Sequence, residues 1–154
     1  MLTESRKHAA SELLREIPRL GPIRVALLIA LVQTPNRFRT KRQLWAYCGL
    51  GLQTRTTGEY RLVRGQLQHG KKSPAPRGLN VNHNHDLKNL FKSAATQVQR
   101  AGDPFGDFYQ KLLSDGMKPS MARLTLAREI AAVALKIWKK GEHFDPAQVR
   151  RQSA

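Results

Sequence analysis

The sequence predicts an all-α domain: a helix-hairpin-helix, then a long basic loop able to hold a short β-hairpin, then a three-helix C-terminal bundle. Three observations carry this. Ile17–Val32 (IPRLGPIRVALLIALV) places a Pro/Gly elbow directly before a helix of small and apolar residues. From Asn84 to Lys140, apolar side chains recur at three- and four-residue spacing, which keeps them on one helical face. Between these, Leu50–His83 has no helical periodicity and is rich in Gly, Thr, Arg, Lys and Pro.

The first arm of the hairpin is expected before about Arg15, with Ala9, Ala10, Leu13 and Leu14 on one side. Leu20 and Ile23 are expected to bury the elbow from both sides, and Gly21 to supply a turn conformation that a Cβ would resist. Pro22 suits the first helical position, where a missing N–H costs nothing. The second arm therefore starts at Pro22, and its unpaired amides and dipole favour an anion. A plain αα-hairpin with the same turn explains the stretch equally well.

Thr40-Lys41-Arg42-Gln43 has the form of a capping box. The helix it opens should carry Leu44, Trp45 and Tyr47 into the core and stop at Gly49, with Cys48 at its buried end. In the loop, Tyr60–Val63 can pair with Gly65–Gln68, and Lys71–Arg77 (KKSPAPR) forms a basic tip. His85–Arg100 is an amphipathic helix. Asp103 caps the next, with Pro104 first and Gly116 ending it, and the last spans about Pro119–Lys140 and stops at Gly141. One domain over residues 1–141 is expected, followed by a flexible basic tail over 142–154.

Among the 154 residues, Lys and Arg number 27 against 11 Asp and Glu, a formal charge of +16 spread along the chain. Such a surface attracts polyanions, nucleic acid foremost. The single cysteine excludes an intramolecular disulfide and a cysteine-based zinc site, and fits a reducing interior. The apolar run Val25–Val32 is too short to span a bilayer, so a cytoplasmic protein without a membrane partner is expected.

With the elements placed, the order of motifs resembles the C-terminal domain of insertion-sequence transposases of the IS116/IS110/IS902 type, which pair an N-terminal RuvC-like DEDD domain with a serine-bearing helical domain. The matching pieces are Ile17–Pro22 with the helix after it, Arg37-Phe38, Arg42–Leu50 with its Tyr-x-Gly-Leu motif, Thr57-Gly58, Arg77-Gly78, Asn84–Leu90 and Tyr109–Met117.

The resemblance implies a DNA recombinase domain acting in a synaptic oligomer, through a loop hydroxyl that attacks a phosphodiester. The family's serine-glycine pair stands here as Thr57-Gly58, with Thr56 just before it, so Thr57 and then Thr56 are the candidate nucleophiles. A loop hydroxyl that only satisfies backbone groups is the competing role.

The expected DNA contacts are Arg19, Gly21, Ile23 and Arg24 at the hairpin, Arg55, Arg61 and Arg64 around the threonines, and Lys71, Lys72 and Arg77 at the tip. Where Arg19 stands the family usually has glycine. Arg123 and Arg128 can face nucleic acid, a neighbouring subunit or solvent. Trp45 and Tyr47 read as core and not as stacking platforms.

His69, His83 and His85 lack the partners of a metal site, so no metal or other cofactor is expected in this chain. A divalent metal, Mg, belongs to the RuvC-like domain, which is missing here. Alone the chain is expected to be inactive, as a truncated or fragmentary C-terminal half. Expected partners are DNA, a guide RNA, and further copies or a full-length transposase. A non-catalytic nucleic-acid-binding module and a regulatory fragment remain as alternatives.

Overall fold

The computed structural model describes residues 8–55, 60–69, 75–79, 82–98 and 102–151. In chain order the elements are α1 (Ala10–Arg15), α2 (Pro22–Val32), a 3-10 turn (Pro35–Arg37), α3 (Lys41–Tyr47), β1 (Leu52–Arg55), β2 (Tyr60–Val63), β3 (Gln66–His69), β4 (Ala75–Leu79), α4 (His85–Thr96), α5 (Pro104–Ser114), α6 (Pro119–Lys140) and α7 (Ala147–Arg151).

The core is helical, as the sequence predicts, and α6 is its axis. Helices α1, α3, α4 and α5 all pack against α6, so the hairpin side and the C-terminal side share one core. The sequence of α6 explains this: Ile130, Ala131, Ala132, Val133, Ala134 and Leu135 are all buried in succession, which requires neighbours on every side of the helix. Small alanines let those neighbours approach. Phe91, Phe105, Leu14, Ile17, Leu20, Leu50 and Leu87 fill the space around it. Each such fully buried Leu, Ile or Phe contributes roughly 1.5–3 kcal/mol relative to exposure.

The helix ends follow the expected chemistry. Thr40 Oγ1 accepts the Gln43 N–H (3.4 Å), while Gln43 Oε1 reaches back one residue further than a standard box, to the Arg39 N–H (2.7 Å). Asn84 Oδ1 accepts from Leu87 (3.0 Å), and Asp103 Oδ1 from Gly106 (2.8 Å). Gly116 and Gly141 close α5 and α6 with positive φ, 88° and 63°.

At the elbow two expectations are corrected. Gly21 has φ −68°, and an added Cβ would meet nothing within 4 Å. The residue in the left-handed region is Arg19, at φ 70°. Ile23 does not bury the elbow: it is 70% exposed, because at the second position of α2 it points off the end of the core-facing stripe.

The loop is more ordered than its composition suggests. β2 and β3 form an antiparallel hairpin with Val63 opposite Gln66 and Tyr60 opposite His69, one residue along from the expected pairing. Its two-residue turn, Arg64-Gly65, has positive φ at both positions (52° and 77°), the twist that tight hairpins favour. β1 and β4 form a second antiparallel ladder around it, with Leu52 opposite Leu79 and Arg55 opposite Ala75. No periodicity announces that pairing.

The expected flexible tail at 142–154 is instead packed as far as α7. Glu16 accepts hydrogen bonds from the Phe144 N–H (3.0 Å) and pairs with His143 Nδ1 (2.8 Å), Phe144 stacks near Phe105, and Val149 is buried.

Candidate nucleic-acid interface

The hairpin tip combines a free helix start with two arginines. Gly21 C=O accepts the Val25 N–H (3.0 Å), and no side chain caps α2. Pro22 has no N–H, so the amides of Ile23 and Arg24 are left without an acceptor from their own helix. This is the geometry expected for an anion contact.

Arg19 and Arg24, expected to flank that contact, are tied into the fold. Arg19 bonds Asp103 Oδ2 through Nε (2.9 Å) and Nη2 (2.7 Å), while the other Asp103 oxygen caps α5. Arg24 donates from Nε to Ser93 Oγ (3.2 Å) and from Nη1 to Gln97 Oε1 (3.1 Å) and Arg19 C=O (3.2 Å). These bonds pin the tip to α4 and α5.

The loop is anchored at its base. Asn84 N–H donates to Tyr47 C=O (2.9 Å), and the His83 ring lies against Gly49, whose φ is 69°; a Cβ there would clash with the atoms of that ring. Here the Tyr-x-Gly-Leu motif has its physical reason. Arg55, Arg61 and Arg77 occupy strands β1, β2 and β4, and Arg64 sits exposed at the hairpin turn. The candidate nucleophiles Thr56 and Thr57, and the tip lysines Lys71 and Lys72, lie outside the described residues.

Other cationic positions line two clefts. One, of about 550 Å³, opens at the start of α6 between Lys92 of α4 and Arg123 of α6, with Met121 and Leu124 as its apolar wall. The other, of about 350 Å³, lies between α3, α5 and α6 and contains Arg128. Arg128 is no solvated helix residue: it is half-buried, its Nε donates to Leu50 C=O (2.6 Å), and its own C=O accepts from Trp45 Nε1 (2.9 Å). Desolvation lowers its pKa. Trp45 and Tyr47 are half-buried at the core's edge. Lys41 stands over the Trp45 ring at 5.5 Å and Arg37 over that of Tyr47 at 5.2 Å.

Sequence reasoning missed Glu129. It is buried among the apolar residues of α6, and desolvation pushes its carboxyl up to about 7 although Lys41 pulls the other way. A lone acid in an alanine-rich, otherwise buried helix is a signal that the sequence did contain.

Burial pushes the Cys48 thiol up to about 12, so it offers no thiolate near neutral pH. Among the described residues no group of three His, Cys, Asp or Glu side chains could hold a metal ion. Nor is any described helix long and apolar enough to cross a membrane.

No curated protein matches the chain. A family model, Transposase IS116/IS110/IS902 family, matches residues 11–75, which take in the hairpin, the Tyr-x-Gly-Leu motif and the strands as far as the start of β4. Over this segment, less than half of the chain, the sequence is similar to that family.

Proposed function

We propose that the chain is the DNA-binding, C-terminal part of such a transposase, and that it grips the sugar-phosphate backbone at the hairpin tip. The observation that carries this is the start of α2, which no side chain caps, with Arg19 and Arg24 at the same hairpin tip, in a chain of formal charge +16. Backbone contacts from amides and arginines position DNA without reading its sequence. Arg55, Arg61, Arg64, Lys71, Lys72 and Arg77 extend the contact along the loop.

The hydroxyl of Thr57, or of Thr56 beside it, is the group that attacks the phosphodiester. Phosphorus gains a bond to the threonine oxygen and loses one to a DNA oxygen, which leaves a covalent protein–DNA ester. Completion of strand exchange requires a RuvC-like domain and its divalent metal, a second copy or a full-length transposase, and a guide RNA to choose the sites.

Titration of the chain with duplex DNA at several salt concentrations tests the grip. Log affinity should fall linearly with log salt, by about 0.9 for each phosphate neutralised. Failure to bind duplex or single strands at low ionic strength overturns the reading. A non-catalytic docking module would show the same salt dependence but form no covalent adduct.

A further inference from the structure

Large hydrophobic side chains exposed among the described residues are Ile23, Leu52 and Met121, and the last two belong to one surface. Met121, 48% exposed, lines the cleft of about 550 Å³ at the start of α6, with Leu124 one turn further on the same face. Leu79 lines that cleft too, and Leu52 stands opposite Leu79 in the β1–β4 ladder. Directly opposed residues share a ladder face with their Cβ atoms about 4.5–5.5 Å apart, so Leu52, 58% exposed, continues the apolar wall at its edge. Single exposed apolar residues are ordinary, whereas a contiguous patch marks an interaction site. Two cations flank this one, Lys92 of α4 and Arg123 of α6. Neither forms an ion pair with a described residue, and Arg123 donates only from Nε, to the Pro119 C=O one turn back (3.4 Å).

We propose that this cleft docks an acidic amphipathic helix of a partner protein, its apolar stripe against Leu79, Met121 and Leu124 and its carboxylates on Lys92 and Arg123. A helix laid in a groove presents apolar anchors at three- and four-residue spacing, with charges beside them, which matches an aliphatic wall between two free cations. Charge selects an acidic partner. A second copy carries the same +16, with 27 Lys and Arg against 11 Asp and Glu, and is repelled at long range. Nucleic acid would suit the two cations but not the walls, because none of the lining residues has a ring on which a base could stack. The docking surface depends neither on the hairpin tip nor on the loop threonines.

The probe is a fluorescein-labelled synthetic helix of about twenty residues, long enough to hold its fold, with a leucine stripe flanked by glutamates. Its anisotropy is followed as the full chain is added. Serine in place of the leucines keeps the charge and removes the apolar stripe, and lysine in place of the glutamates reverses the charge; each change should weaken binding by about tenfold or more. In the chain, Met121→Ser lies at an exposed position outside the core, so circular dichroism should be unchanged while the leucine–glutamate helix binds about tenfold more weakly. Arg123→Gln should weaken it severalfold. Equal binding of the serine and leucine helices would reveal only the chain's general charge and overturns the site, as does full binding by Met121→Ser. Duplex DNA affinity that falls with Met121→Ser would give the cleft to nucleic acid, and a dimer of the parent chain that Met121→Ser dissociates would give it to a second copy. Either result overturns the assignment.

Discussion

Arg19 and Asp103, 84 residues apart in the chain, are joined by two hydrogen bonds at the hairpin tip, the shorter of them 2.7 Å. The same carboxylate caps α5, so one acid fixes both the start of a helix and the tip of the hairpin. Arg19 makes this bond from the left-handed region, where a Cβ costs roughly 1–2 kcal/mol.

Replacement of Arg19 separates these effects. Arg19→Ala loses the ion pair and keeps the unfavourable φ, whereas Arg19→Gly loses the pair and relieves the backbone. The glycine variant should therefore be the more stable of the two by about 1 kcal/mol in urea unfolding. Equal midpoints would show that the left-handed conformation carries no strain.

Glu129 makes stability depend on pH in the direction opposite to a paired acid. Its folded-state pKa of about 7 exceeds the ordinary 4.5, because burial outweighs Lys41. The folded state then binds the extra proton between those values, so stability is full below about 4.5 and falls as pH rises through about 7. The loss is on the order of 3 kcal/mol. Lys41, Lys111, Asp115 and Arg128 are the other charged groups that line the same cleft. Glu129→Met should raise the melting temperature at pH 8 and leave it nearly unchanged at pH 5. A variant less stable than the parent at pH 8 would contradict the burial argument.

Glu16 works the other way. Hydrogen bonds from His143 and Phe144 lower its pKa, so its hold on the C-terminal segment is present above the ordinary carboxylate range and lost as pH falls through the lowered value. Glu16→Gln should speed hydrogen exchange of the amides from 143 to 149 at neutral pH, with α6 unaffected. Unchanged exchange at Phe144 would show that the aromatic contact with Phe105 holds the segment unaided.

Gly49 is expected to resist substitution. Its φ of 69° and the His83 ring both oppose a Cβ, so Gly49→Ala should destabilise the fold by about 2 kcal/mol or more, read as a lower denaturation midpoint.

Thr57→Ala should abolish strand cleavage and the covalent adduct, assayed with a RuvC-like domain supplied, while duplex affinity stays within twofold. Equal cleavage by the variant would remove Thr57 from the mechanism and leave Thr56 as the hydroxyl to test.

Spacing and capping along the chain were enough to mark α1 to α6, and composition its cationic character. Periodicity and capping are local, set by spacings of three and four residues, and Thr40, Asp103 and Gly116 act within one turn of themselves. Even the β2–β3 hairpin was legible, because its partners are a turn apart.

The pairings that spacing left open join residues distant in the chain. The β1–β4 ladder, the clasp of Glu16 on His143 and the bond from Arg19 to Asp103 are pairings across tens of residues, for which composition gives no register. The sequence also pointed to the hairpin as the organising element, whereas α6 is the one that the other helices share. Burial on all sides depends on how many neighbours arrive, not on a helix's own pattern. For the same reason Glu129 gained its shifted carboxyl, and Arg128 its half-buried place, only when α3 and α5 closed over α6.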